Sequence, residues 1–153
     1  MPDLAVMADA SCLIVLDKVD GLPLLPALYG SIWITQPIAD EYGTALPEWI
    51  AVKDTPKSPV DDLLRNSLGQ GEAAAIALAL SHRDAHLLIL DDLKARKIAR
   101  QLNLNLTGTL GVVARAKQRG IISAAKPVFE KILATDFRAS SAVVDALLQE
   151  LGE

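Results

Sequence analysis

The sequence predicts an α/β domain built on a parallel sheet. Three observations carry this: apolar runs of strand length alternate with helical patterns, 51% of the 153 residues are hydrophobic, and loop-like stretches such as Gly69 to Gly71 or Asn103 to Asn105 stay short. A chain of this length can bury one core of its own, and no repeat or linker divides it, so a single domain over residues 1–153 is expected.

The first strand is expected at Leu4 to Ala8 and is followed at once by Asp9 and a helical segment, Ser11 to Val19. A second strand, Ser31 to Thr35, leads into the short helix Pro37 to Tyr42. Trp49 to Asp54 suits an edge strand, and Pro56 to Pro59 reads as a loop between prolines. Val60 to Ser67 is helical. After the Gly69-Gln70-Gly71 turn, Glu72 to His82 forms a helix whose Ala73 to Leu80 are apolar on every side, so it must be covered all round and belongs at the centre. The strand Leu87 to Leu90 then runs into Asp91 and Asp92. In the helix Asp92 to Leu102, Ala95, Ile98, Ala99 and Leu102 repeat at i, i+3, i+4 and i+7, while Lys94, Lys97 and Arg100 take other faces. Leu104 to Thr107 is the next strand, followed by helices Thr109 to Arg119, Lys126 to Ala134 and Ala142 to Leu151. In the last, Val143, Val144, Leu147, Leu148 and Leu151 make one stripe, open to packing within the chain or on a second copy.

Several classes of protein are excluded early. The longest apolar run, Ala73 to Leu80, is less than half the roughly 20 residues a membrane-spanning helix needs, and Met1-Pro2-Asp3 does not open a secretory signal; a cytoplasmic protein is expected. One cysteine, Cys12, rules out an internal disulfide, and with only His82 and His86 beside it no zinc cluster can form.

The net charge of −4 conceals a segregation. Residues 1–92 sum to −9, residues 93–129 to +8 with no carboxylate in 37 residues, and residues 130–153 to −3. A basic block in an acidic chain offers a surface for an anionic partner, although a solvated helix face would read the same way.

The acids stand where parallel α/β folds place chemistry. Asp9 and Asp91 each follow a strand, and ligands in such sheets bind outside the strands' carboxyl ends, so the two can share a cleft across 82 residues. Glu41 and Glu72 extend the set. Singly, each has an ordinary explanation: Asp9 and Asp91 as helix caps, Glu72 as a complement to the helix dipole, Glu41 as a solvated side chain. Together, two carboxylates about 5 Å apart repel by roughly 3 kcal/mol at an effective dielectric near 20, which raises pKa values or recruits a cation. An all-oxygen set without His or Cys suits Mg²⁺ or Mn²⁺, and such ions promote displacement at a phosphodiester.

Four motifs in order carry a resemblance to a known family: Asp9-Ala10-Ser11-Cys12-Leu13-Ile14, Ile38-Ala39-Asp40-Glu41-Tyr42, Gly71-Glu72-Ala73-Ala74-Ala75-Ile76, and Leu88-Ile89-Leu90-Asp91-Asp92 with Ala95-Arg96 and Ala99. From residue 4 to about 120 the chain resembles PIN domains, and within them the VapC-like toxin nucleases of toxin-antitoxin pairs. Thr107-Gly108-Thr109-Leu110-Gly111, with Ala116-Lys117 and Gly120, is similar to a divergent branch. The resemblance implies a three-layer α/β/α fold with a central parallel sheet and a metal-dependent ribonuclease. It implies Mg²⁺ or Mn²⁺ held by Asp9, Glu41, Glu72 and Asp91, with Ser11 supporting Asp9 by a hydrogen bond. It also implies RNA as substrate, an antitoxin protein as partner, and a homodimer.

The commoner toxins have an isolated Asp after the fourth strand and a further acid soon after. Here Asp91 and Asp92 are adjacent, which leaves open which of them reaches a metal; Asp92 is equally placed to cap its helix or to pair with Arg96. Lys94, Arg96, Lys97 and Arg100 follow at the cleft rim and suit RNA phosphates. The scattered aromatics argue for backbone recognition over base stacking. A receiver domain or a haloacid-dehalogenase-like phosphatase would need its acid pair at the first strand, where this chain reads Asp9-Ala10-Ser11. The rival from another class is a PIN-like module with attenuated catalysis that binds RNA or protein.

Overall fold

The computed structural model describes residues 4–55 and 59–153. Five parallel strands form one sheet in the order β3-β2-β1-β4-β5: β1 Ala5–Ala8, β2 Ile32–Ile34, β3 Ile50–Val52, β4 His86–Ile89 and β5 Leu106–Thr107. Every residue of β1 is buried, as expected for a central strand covered on both faces, and this explains its continuous apolar run.

Among the described residues the helices are α1 Ala10–Lys18, α2 Leu24–Tyr29, α3 Gln36–Tyr42, α4 Pro59–Ser67, α5 Gln70–Leu80, α6 Leu93–Gln101, α7 Thr109–Gln118, α8 Lys126–Leu133 and α9 Ser141–Glu150. Right-handed crossovers and the observed packing place α1, α2, α7 and α8 on one face of the sheet and α4, α5 and α6 on the other. The result is the three-layer α/β/α sandwich with a central parallel sheet. No described helix is long and apolar enough to cross a membrane.

Helix α5 takes the central place that its composition demanded. It touches β1, β4, α3, α4 and α6, and Ala73 through Ala79 are all buried. The stripe of α9 packs on its own chain through Val144, with Leu147, Leu148 and Leu151 half-buried against the core, while Val143 stays 52% exposed. The edge strand near Trp49 is β3, and the Lys53 N–H extends its pairing to Ile34 O at 2.8 Å.

Two local expectations need correction. Pro59, read as part of a loop, begins α4; proline suits a first helical turn because its missing N–H would have no intrahelical acceptor there. Pro56 to Ser58, the rest of that loop, lie outside the described residues. Helix α2 has no counterpart among the elements expected from the sequence. Pro26 falls in the helix's first turn, where it costs no hydrogen bond.

Chain direction across the sheet reverses between β1 and β4. From β1 the chain steps to β2 and β3, then returns to β4 on the other side of β1 and continues to β5. This is a topological switch point, where the two flanking loops part and leave a crevice at the strands' carboxyl ends.

Candidate metal and nucleic-acid site

Asp9 and Asp91 emerge on either side of that crevice. Ala8 pairs with Ile89 across β1 and β4, and the Asp9 N–H donates to Ile89 O at 3.1 Å, so the backbone carries β1 one residue past its end directly beside the start of Leu90-Asp91. Asp9 is the N-cap of α1, and its Oδ1 accepts from the Ala10 N–H at 2.9 Å. The capping role and a place in the site are therefore combined in one side chain.

Asp9 is only 3% exposed. Burial pushes its carboxyl up to about 7, and the charges of Glu72, Glu41 and Asp91 push the same way, against the Ala10 N–H. Every charged group acting on this buried acid is another carboxylate. Burial also raises Glu72, aided by Asp92 and Glu41 and opposed by the Gly69 N–H and Lys94. The four acids proposed from the motifs thus share one electrostatic neighbourhood.

Two glycines make room for them. A Cβ on Gly71 would stand 2.9 Å from Glu41 Oε1, so α3 and α5 approach closely only because the second residue of α5 has no side chain. At Gly108, the N-cap of α7, a Cβ would lie 2.6 Å from Asp91 Oδ1 and 3.1 Å from the Arg96 guanidinium.

Asp91 is held from the opposite side by Thr109. The Thr109 N–H donates to Oδ1 at 2.9 Å and its hydroxyl to Oδ2 at 2.5 Å, with Thr109 itself fully buried. The Thr107-Gly108-Thr109 stretch at the mouth of β5 is the sequence signal for this contact, but local spacing does not tie Thr109 to Asp91, 18 residues away. Cys12 lies beneath, its thiol pushed up to about 12 by burial and by Asp91, which makes it an inert packing residue.

Asp92 is the N-cap of α6, accepting from the Ala95 N–H at 2.9 Å. It makes no ion pair with Arg96, whose Nη1 donates to Leu90 O at 2.7 Å. Arg96 is therefore turned inward, whereas Lys94, Lys97 and Arg100 on the same helix are exposed. Ser11 is exposed and makes no hydrogen bond to Asp9.

The donor set fits a hard divalent cation by its chemistry: carboxylate oxygens only, with a buried Asp9 carboxyl whose charged form the burial and the neighbouring acids disfavour. Among the described residues, no three Asp, Glu, His or Cys side chains are close enough as they stand to hold one ion. Glu41 is exposed and Glu72 half-buried, so both carboxylates are open to solvent.

Comparison with known proteins gives one result. The PIN-domain family DUF3368 matches residues 5–153. No curated protein and no solved structure matches the chain. PIN domains are generally nucleases, typically using divalent metal ions on nucleic-acid substrates. With a family match over nearly its whole length, a five-stranded parallel sheet and acids gathered at the switch point, this chain belongs to the PIN-domain family.

Proposed function

We propose that this protein is a Mg²⁺- or Mn²⁺-dependent endoribonuclease that hydrolyses RNA phosphodiester bonds, acting as the toxin of a toxin-antitoxin pair and as a homodimer. The observation that carries the nuclease reading is Asp9: a buried carboxyl pushed up to about 7 whose charged neighbours are all carboxylates. Asp9, Glu41, Glu72 and Asp91 would hold the ion. Asp92 is committed to its helix and serves as background negative charge beside Glu72. A bound divalent ion supplies Lewis acidity toward a phosphodiester and its attacking water. Thr109 keeps both Asp91 oxygens oriented, and Gly71 and Gly108 keep Glu41 and Asp91 unobstructed. Lys94, Lys97 and Arg100 draw the RNA backbone to the rim by counterion release. The toxin role rests on the resemblance of the ordered motifs to the toxin-like nucleases.

The test is RNA cleavage with Mn²⁺ or Mg²⁺ against EDTA, beside Asp9→Asn. Cleavage is expected only with metal, and the variant should lose more than the roughly 10–100-fold typical of changes to a ligand's supporting residues. Cleavage that survives both EDTA and the substitution overturns the nuclease reading. RNA bound but never cut, under any metal, would leave an RNA-binding module instead.

A further inference from the structure

Beside the carboxylates, a cavity of about 660 Å³ opens between α6, β5, α7 and the segment leading into α9. Asp91 forms part of its wall, so it is continuous with the candidate site. Its apolar lining comes from Leu106, Leu110, Phe137, Val143 and Leu147. Three arginines, Arg96, Arg100 and Arg138, complete it. None of the three takes part in the ion pairs found among the described residues, which are Lys18–Asp136, Arg65–Asp61 and Lys117–Glu153.

The cavity therefore joins an apolar slot to an excess of positive charge. Its one acid, Asp91, has both oxygens engaged by Thr109. Arg96 and Arg100 lie one turn apart on α6, and burial together with the Arg100 charge holds the Arg96 guanidinium below its usual range, against the pull of Asp91. An anion between them would relieve that repulsion. Guanidinium groups bind phosphate through a two-pronged fork and stack on planar rings, and a slot of several hundred Å³ with a few convergent polar groups is the usual form of a small-ligand pocket. A phosphorylated flat ring, its faces against the apolar side chains and its polar groups toward the arginines, meets these requirements.

We propose that this cavity is a nucleotide pocket, taking one base and its phosphate from the RNA strand next to the bond held at the carboxylates, so that it selects the nucleotide beside the cut. This rests on the ribonuclease reading, because a shared wall at Asp91 matters only if a phosphodiester lies there. It departs from the backbone-only recognition expected from the scattered aromatics, since the arginines and Phe137 come together from two separate parts of the chain, α6 and the segment before α9.

The experiment separates the two readings by measuring binding and cleavage independently. In EDTA, the full chain is titrated with each of the four nucleoside 5′-monophosphates, with the unphosphorylated nucleosides and with inorganic phosphate, following amide resonances of Gly108, Gly111 and Val143. At least one nucleoside monophosphate should shift these resonances, binding tenfold or more tightly than phosphate or its nucleoside alone. Val143→Trp, at a position 52% exposed and able to accept a larger side chain, should fill the slot and weaken binding at least tenfold; the exposed Arg138→Ala should do the same without altering the core. Equal shifts from inorganic phosphate would overturn the proposal in favour of a plain anion site, and shifts from an acidic apolar peptide but from no nucleotide would overturn it in favour of protein docking. With metal, Val143→Trp should change the ratio of kcat/KM between RNAs that differ in the one nucleotide beside the cut. Unchanged ratios would sink the pocket while the nuclease stands; nucleotide binding without cleavage by any metal would keep the pocket and remove the nuclease.

Discussion

Asp9 shows how one residue carries opposing demands. Its carboxyl is raised from the usual 3.8 to about 7, so the folded chain holds a proton there that the unfolded chain releases. The sign follows: in the absence of metal, this residue's contribution to folding stability is highest at and below about pH 4, falls as pH rises toward 7, and levels off above it. A shift of this size corresponds to at most on the order of 4 kcal/mol. Asp9→Asn keeps an oxygen for the Ala10 N–H and removes the charge. Urea unfolding in EDTA should find the variant more stable than the wild type at pH 8 and the difference gone near pH 4; a wild type whose stability rises from pH 5 to 8 through this residue would contradict the assigned environment. Thr109 is a positioning residue for Asp91. Thr109→Val keeps the backbone N–H and the shape but loses the hydroxyl, and should weaken metal affinity by about 10–100-fold as read by calorimetry, with Thr109→Ser restoring most of it. Neither role could be read from the residue alone, since Asp9 caps a helix in the ordinary way and Thr109 is one threonine of two flanking a glycine.

At the scale of elements, the helices were legible wherever composition forced their placement. Helix α5 is apolar all round and so could lie only in the interior, and the alternation of strands and helices required a parallel sheet. Helix α2 escaped because proline in a first turn looks the same in sequence as proline that breaks a helix. The approach of α3 to α5 depends on Gly71, and substitution there sets two effects against each other. Gly71→Ala should favour the isolated helix by roughly 1 kcal/mol, yet its Cβ would displace the Glu41 carboxylate, 2.9 Å away. The Glu41 carboxylate is the end of a flexible side chain and can move aside, but the Cβ would also press on buried Ile38 at 3.3 Å, which offsets the helix gain, so thermal stability should change little while metal-dependent cleavage falls; a loss of both in equal proportion would show that the core around Ile38, and not Glu41, absorbed the change. Capping accounts for one of the paired acids: the Asp92 carboxylate accepts from the Ala95 N–H of α6, while both Asp91 oxygens accept from Thr109.

Across the whole molecule, the charge segregation acquires a spatial meaning. Asp9 and Asp91 of the first block flank the switch point with Glu41 and Glu72 in their electrostatic neighbourhood, and the basic block begins on α6 beside them, with Lys94, Lys97 and Arg100 exposed. RNA binding by the Asp9→Asn protein in EDTA should weaken steeply with salt, and replacing these three residues with Ala should reduce the slope of log K against log salt by about 2 for single-stranded RNA. An unchanged slope would place the backbone contacts elsewhere. Several features of this protein follow from sequence by itself: a parallel α/β fold, the ordered acidic motifs, the central helix and the basic block. All of these are patterns of local spacing and composition, and hydrophobic burial acts on them without reference to distant residues. Only the tertiary structure decided that Thr109 grips Asp91 while Asp92 caps α6, and that Arg96 turns inward. It alone also joined Arg96, Arg100, Phe137 and Arg138 around one cavity. Those outcomes depend on strand order, register and the close approach permitted by two glycines, which bring together side chains that sequence separation keeps apart.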